Sequence, residues 1–183
     1  MRTVDTKLPG VVIIEPDVYR DERGYFMESW NAARYRELGI DVDFVQDNHS
    51  RSSRWTLRGL HYQLNRPQGK LVRATVGTVF DVAVDLRRDS PHFGEWVGVE
   101  LSAENHRQLW IPPGFAHGFL VLSEVAEFQY KCTTFYDRDS DRSLLWSEPS
   151  VGIAWPLPDG VEPLLSPKDR AGGTLATSEA CTF

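Results

Sequence analysis

At 183 residues, 41% hydrophobic and 25% charged, the chain has the arithmetic of one ordinary globular domain spanning 1–183. Its 20 Lys and Arg against 26 Asp and Glu give a formal net charge of -6, the wrong sign for holding nucleic acid by an overall field. No apolar run approaches the roughly 18 residues of a membrane helix, and the N-terminal MRTVDTKLPG lacks the apolar stretch of a secretory signal; the expectation is a cytoplasmic protein with neither nucleic acid nor membrane as partner.

In chain order, short apolar runs bounded by Gly, Pro, Asn, Asp and Ser follow the strand period rather than the helix period. Strands are predicted at Val11 to Glu15, Tyr25 to Trp30, Phe44 to Gln46, Leu57 to Gln63, Leu71 to Val76 and Val79 to Leu86. Others follow at Glu95 to Leu101, Gln108 to Ile111, Gly118 to Leu122, Glu127 to Thr134, Ser143 to Trp146 and Ile153 to Trp155. This spacing predicts an all-β sandwich or barrel. Asn31 to Leu38 reads as one short surface helix, with Asn31 as N-cap and Gly39 at the left-handed C-terminal position. Gly77-Thr78 joins two strand-like runs as a tight hairpin would. In FDVAVDL, Phe80, Val82, Val84 and Leu86 form a packed face and Asp81, Ala83 and Asp85 a polar one. The segment after Arg170, through residue 183, is small and polar and is expected to be loose. Cys132 and Cys181 form no close-spaced pair and are read as reduced thiols.

Three clusters carry chemistry. In RGLHYQ, followed by PQGKL, the strand period puts His61 and Gln63 on the face that includes Gly59, leaving room beside the imidazole, with Arg58 and Lys70 close by. His61 is either a hydrogen-bonded core histidine or a ligand contact. IPPGFAHGF contains the spacing P-x-G-x-x-H, in Pro112, Gly114 and His117. That spacing is similar to the second motif of the cupin superfamily, whose fold is a jelly roll; His117 either shapes the barrel mouth or meets a ligand. Many cupins hold a metal through an HxH pair plus this histidine. Here the matching segment is His61-Tyr62-Gln63, which leaves too few ligands and argues against a metal. In AEFQYKCTTFY, Tyr130 shares a face with Phe128 and Cys132, the usual setting of a packing tyrosine.

Seven blocks, RDERGYFMESW, FVQDNHSRS, LRGLHYQ, QGKLVRATVGTVFDVAVDLRRDSPHFGEW, LSAENHRQLWIPPGFAHGFLVLSE, EFQYKCT and LLSPKDR, resemble the dTDP-4-dehydrorhamnose 3,5-epimerase family in order, from about Leu8 to Arg170. The resemblance implies a double-stranded β-helix of cupin type, no cofactor and no metal, and a homodimer. It implies dTDP-4-dehydro-6-deoxy-D-glucose as substrate, inverted at C3 and C5 on the way to dTDP-L-rhamnose and cell-surface polysaccharide such as lipopolysaccharide. By the same resemblance His61 is the base, Asp169 its carboxylate partner, Tyr130 the proton donor and Lys70 the cation at the C4 oxygen. Arg23, Arg58 and Lys168 match diphosphate and sugar contacts, and Tyr136 matches a ring stacked on thymine. Glu28, Gln46, Asp47, Asn48 and His117 match binding positions. Asp141 aligns with a glutamate, one methylene longer, that the family often has. The resemblance leaves open a single-site epimerase of a related nucleotide-linked ketosugar. Two further readings are a metal-dependent cupin enzyme and a jelly-roll sugar-binding module.

Overall fold

The computed structural model describes residues 1–179, so Cys181 falls outside the described residues. Its elements are β1 (Arg2–Asp5), β2 (Val12–Glu15), β3 (Val18–Asp21), β4 (Gly24–Met27), α1 (Ala32–Glu37), β5 (Gln46–Ser53), β6 (Leu57–Gln63) and β7 (Lys70–Val76). There follow β8 (Thr78–Asp85), β9 (Trp96–Ser102), β10 (Gln108–Ile111), β11 (Phe115–Val121), β12 (Val125–Cys132), β13 (Asp141–Ser143) and α2 (Pro167–Arg170). A six-stranded sheet in the order β1-β2-β10-β7-β12-β5 faces a five-stranded sheet in the order β13-β6-β11-β8-β9, and β3-β4 form a separate two-stranded hairpin. The all-β jelly-roll class is therefore the one observed.

Period-two alternation explains how one chain fills the space between the sheets. Val72, Ala74 and Phe128 point inward from one sheet, and Val79, Ala83, Phe115 and Phe119 from the other. The outer faces are covered separately. Tyr35 and Ile40, in and just after α1, lie over Ile14, Leu71 and Trp110. Val151, Ile153 and Trp155 lie over Leu60, Val82 and Val84. The Asn31 side chain caps α1 by accepting from the N–H groups of Ala33 and Arg34, and Gly39 follows at φ +85°.

Several expectations need correction. Gly77, at φ +71°, does not close a hairpin, because β7 and β8 pair in different sheets. It is the corner at which the chain switches sheets, and a Cβ there would lie 2.1 Å from the Val125 carbonyl oxygen. The faces of FDVAVDL are one apolar and one polar, as read, and the structure adds that both are covered: β8 is interior to its sheet, and Asp81 and Asp85 are wholly buried. No strand forms at Ile153 to Trp155, where Trp155 instead packs edge-on against Phe80. The polar run Gln46–Ser53 is a full edge strand that begins where the predicted Phe44 to Gln46 segment ends. β1 and β3 had no prediction. The segment after Arg170 is tied down as far as it is described: Gly173 exchanges backbone hydrogen bonds with Ser143 and Leu145, and Arg88 donates to the Ser178 carbonyl.

Candidate active site

At one end of the space between the sheets lies a cavity of about 230 Å³, lined by His61 and Gln63 of β6, Lys70 of β7, Tyr130 of β12, Tyr136, Asp141 and Lys168. Gly59, at φ +121°, lets β6 approach β11 so closely that a Cβ there would sit 2.6 Å from Gly118 Cα. The β6-β11 register is irregular at this point, with Arg58 opposite Phe119 and His61 opposite His117, so that His61 comes to the cavity half-buried.

Behind His61 stands α2. His61 Nε2 is 2.6 Å from Asp169 Oδ1, although the two residues lie 108 positions apart. With Nε2 committed to the carboxylate, Nδ1 is the ring nitrogen left for a ligand. Burial works to raise the Asp169 pKa. Hydrogen bonds from His61 and Ser166, the His61 charge and the Gly59 N–H outweigh it and hold the carboxyl below the usual range. An anionic partner of this kind favours one tautomer and stabilises an imidazolium as it forms.

Lys70 and Tyr130 come from the facing sheet. In the β7-β12 register Lys70 lies opposite Cys132, and Val72 opposite Tyr130, so Lys70 and Tyr130 are diagonal neighbours on the inner face. The Lys70 side chain is buried and makes no hydrogen bond to any described residue, and burial pushes its ammonium pKa down despite Cys132, Asp141 and Asp81 nearby. Burial raises the Tyr130 phenol, with Cys132 adding and Arg58 opposing, so it is a protonated acid at neutral pH.

The cavity mouth is built around Asp141. Its Oδ2 accepts from the Tyr136 hydroxyl at 2.9 Å and from the Lys168 ammonium. The Tyr136 N–H donates to Gln46 Oε1 at 2.8 Å, and Gln63 Oε1 accepts from the Asp137 N–H at 2.9 Å, tying this loop to both sheets. Asn48 Nδ2 donates to the Cys132 sulfur at 3.5 Å, and Arg58 Nε to Ser52 Oγ at 3.0 Å.

Seven expected binding residues do not line this cavity within the chain: Gln46, Asn48 and Arg58, whose partners are given above, and Arg23, Glu28, Asp47 and His117. Arg23, with 84% of its side chain exposed, pairs with Asp21 on the β3-β4 hairpin. Glu28 pairs with Arg34 and accepts from Asn31, because its segment turns into α1. Asp47 alternates away from Gln46 and Asn48, pairs with Lys131, and lines a separate cavity of about 260 Å³ with Arg73 and Gln129. His117 is turned inward to Asp81, with Nε2 2.9 Å from Oδ2. Burial lowers the His117 pKa and raises that of Asp81, each opposed by the partner. Among the described residues no group of three or more His, Cys, Asp or Glu side chains could hold a metal ion. Sequence reasoning missed Ser166 and Gln68, which contribute a hydrogen bond to Asp169 and a part of the cavity wall. The Ser-Pro pair at 166–167, a helix N-cap signature, was the available signal for the first; Gln68 had none.

The family model for dTDP-4-dehydrorhamnose 3,5-epimerase matches residues 5–177. The chain is 57% identical over 180 residues to the dTDP-4-dehydrorhamnose 3,5-epimerase of Pseudomonas aeruginosa, covering 98% of each chain. It is 59% identical over 174 residues to that of Shigella flexneri, covering 94% of each. The solved structure of a dTDP-6-deoxy-D-glucose-3,5-epimerase from Legionella pneumophila, in complex with dTDP-4-keto-L-rhamnose, superposes with a TM-score of 0.94 at 52% identity, covering 100% of this chain and 98% of that one. With a jelly roll that places a histidine-carboxylate pair, a buried lysine and a tyrosine around one cavity, the chain belongs to the dTDP-4-dehydrorhamnose 3,5-epimerase family.

Proposed function

We propose that this protein is an isomerase that inverts C3 and C5 of dTDP-4-dehydro-6-deoxy-D-glucose to give dTDP-4-dehydro-L-rhamnose. One arrangement carries the reading of the site: His61, held from behind by Asp169 of α2, and Tyr130 belong to opposite sheets and line one cavity, with the Lys70 ammonium beside Tyr130. A ketone at C4 acidifies the protons on C3 and C5. His61 takes the proton and becomes imidazolium, the C–H electron pair moves into an enolate, and Lys70 stabilises the charge on the C4 oxygen. Tyr130 gives its proton to the other face of the same carbon, which completes the inversion and leaves a phenolate. Solvent restores both groups before the next turn, so protons balance and no electrons are gained or lost.

At the cavity mouth, Lys168 and Arg58 suit the diphosphate and the exposed ring of Tyr136 suits the thymine. Asp141 is already shared by Tyr136 and Lys168, so its part is to hold those two side chains. The β3-β4 hairpin supports a homodimer. It forms a sheet of its own, exposes Tyr19, Tyr25 and Phe26, and carries Arg23 away from its own cavity, where it can serve the partner's. Sedimentation as a stable 20.8 kDa monomer at micromolar concentration would count against the dimer. The substrate and product are soluble nucleotide sugars, in keeping with action in the cytoplasm and supply of L-rhamnose for surface polysaccharide.

The test is proton NMR of dTDP-4-dehydro-6-deoxy-D-glucose incubated with the protein in heavy water, with His61→Asn as control. Deuterium at both C3 and C5, with inversion, and its loss in the control are expected. Exchange at one carbon identifies a single-site epimerase, and binding without exchange identifies a sugar-binding module.

A further inference from the structure

The carboxylate of Asp169 has two oxygens and both are committed. Oδ1 faces His61 Nε2 at 2.6 Å, and Oδ2 accepts from the Ser166 hydroxyl at 2.8 Å. The same hydroxyl oxygen accepts from the Asp169 N–H at 3.1 Å, which makes Ser166 the N-cap of α2. Pro167 follows at the first helical position, where its missing N–H costs nothing. One side-chain atom therefore starts the helix and orients the carboxylate that the helix carries. His61, on β6, holds Oδ1 and Ser166, at the start of α2, holds Oδ2, so the carboxylate is clamped from both elements that meet there. Asp169 is nearly inaccessible to solvent, so water does not readily replace a lost donor.

We propose that Ser166 is a positioning residue for the histidine base, acting through Asp169 rather than on the sugar. Without the Oδ2 bond the carboxylate is free to rotate about its terminal torsion, and His61 loses a fixed ring plane and a fixed tautomer. This rests on the reading of His61 as base, and the two are separable because one readout below needs no substrate.

A helix cap and a carboxylate clamp make different demands on position 166. Asn caps helices about as well as Ser, since its side-chain oxygen accepts from the third helical N–H, but that oxygen has no proton to return to Oδ2. Thr keeps both bonds. The full-length protein and its Ser166→Asn, Ser166→Thr and Ser166→Ala variants are compared in three measurements: thermal unfolding, the downfield proton resonance of His61 Nε2–H (assigned by its loss in His61→Asn), and kcat and KM against pH.

Ser166→Asn is expected to unfold near the wild-type temperature yet to lose or shift the His61 resonance. Its kcat falls about tenfold to 100-fold with KM little changed, as for a catalytic group displaced by a fraction of its working distance. The charged and polar groups facing Asp169 are His61 and the Gly59 N–H from β6 and Ser166 from α2. Removing the Ser166 donor leaves the carboxylate more basic, so the acid limb of the profile moves to higher pH. Ser166→Thr restores resonance, rate and profile, and Ser166→Ala loses both stability and rate. A Ser166→Asn protein with wild-type resonance, kcat and profile overturns the proposal and leaves Ser166 as a cap alone. An inert wild type whose resonance still changes in Ser166→Asn keeps the positioning and rejects the function.

Discussion

His61 and His117 are register partners on β6 and β11, yet their imidazoles turn to different carboxylates, His61 to Asp169 beside the cavity and His117 to the wholly buried Asp81. Their substitutions are expected to separate catalysis from stability. His61→Asn leaves a polar group at a half-open position, so the fold persists while turnover falls about 100- to 10,000-fold. His117→Leu leaves Asp81 without its partner in the interior, at a cost of roughly 3–5 kcal/mol and a clear drop in unfolding temperature. Calorimetry and progress curves on the two variants check the contrast; equal unfolding temperatures would contradict it.

Tyr130→Phe removes one hydroxyl and leaves the His61–Asp169 pair intact. A base on one face can still remove a proton, exchange it with solvent and return it to the same face. Deuterium is therefore expected to enter the unconverted substrate in heavy water, while inversion nearly stops. NMR distinguishes this from a loss of both processes, which would place Tyr130 outside proton delivery.

What the sequence made legible depended on the range of the physics. β6 and β10 were readable because alternation and dense apolar side chains are local signals, and α1 because Asn31 and Gly39 mark its ends. β5 was not, because an edge strand reading QDNHSRSS carries its inward positions on Gln46 and Asn48 and lacks the apolar half of the pattern. Gly77 misled because a hairpin and a corner between sheets ask for the same positive φ, and only long-range pairing tells them apart. The polar side of β8 was legible as polar but its burial was not, since Asp81 has a buried partner that is 36 positions away. In the site, His61 and Lys70 drew notice by their neighbours, but their roles and the match to Asp169 came through family resemblance. Arg23 shows the limit of that route: resemblance supplies a role, and the fold of one chain leaves the residue outside its own cavity.

Lys70 sets stability against rate. Its side chain is buried beside the cavity and its ammonium makes no hydrogen bond to any described residue, a state that costs free energy until an oxyanion arrives. Lys70→Met keeps most of the volume and removes the charge, so the free protein is expected to unfold at the same temperature or higher. The kcat falls about 100- to 1,000-fold, as when a donor to a developing oxyanion is removed. A variant that is both slower and markedly less stable would mean that the ammonium has a structural partner.

Asp169 predicts a pH dependence whose sign follows from its direction of shift. Its native pKa lies below the ordinary carboxylate value, while the unfolded chain titrates near about 3.9. Below that pH the unfolded state binds a proton before the native state does, so stability is lost as pH falls through the native value. Above about 3.9 the contribution is fully present. Asp169→Asn cannot titrate, so its deficit relative to wild type is expected to be largest at neutral pH and to shrink between pH 4 and the native value of Asp169. Urea unfolding of both proteins across that range measures the difference. A deficit that stays constant with pH would show that Asp169 stabilises the fold through packing, leaving no role for its charge beside His61.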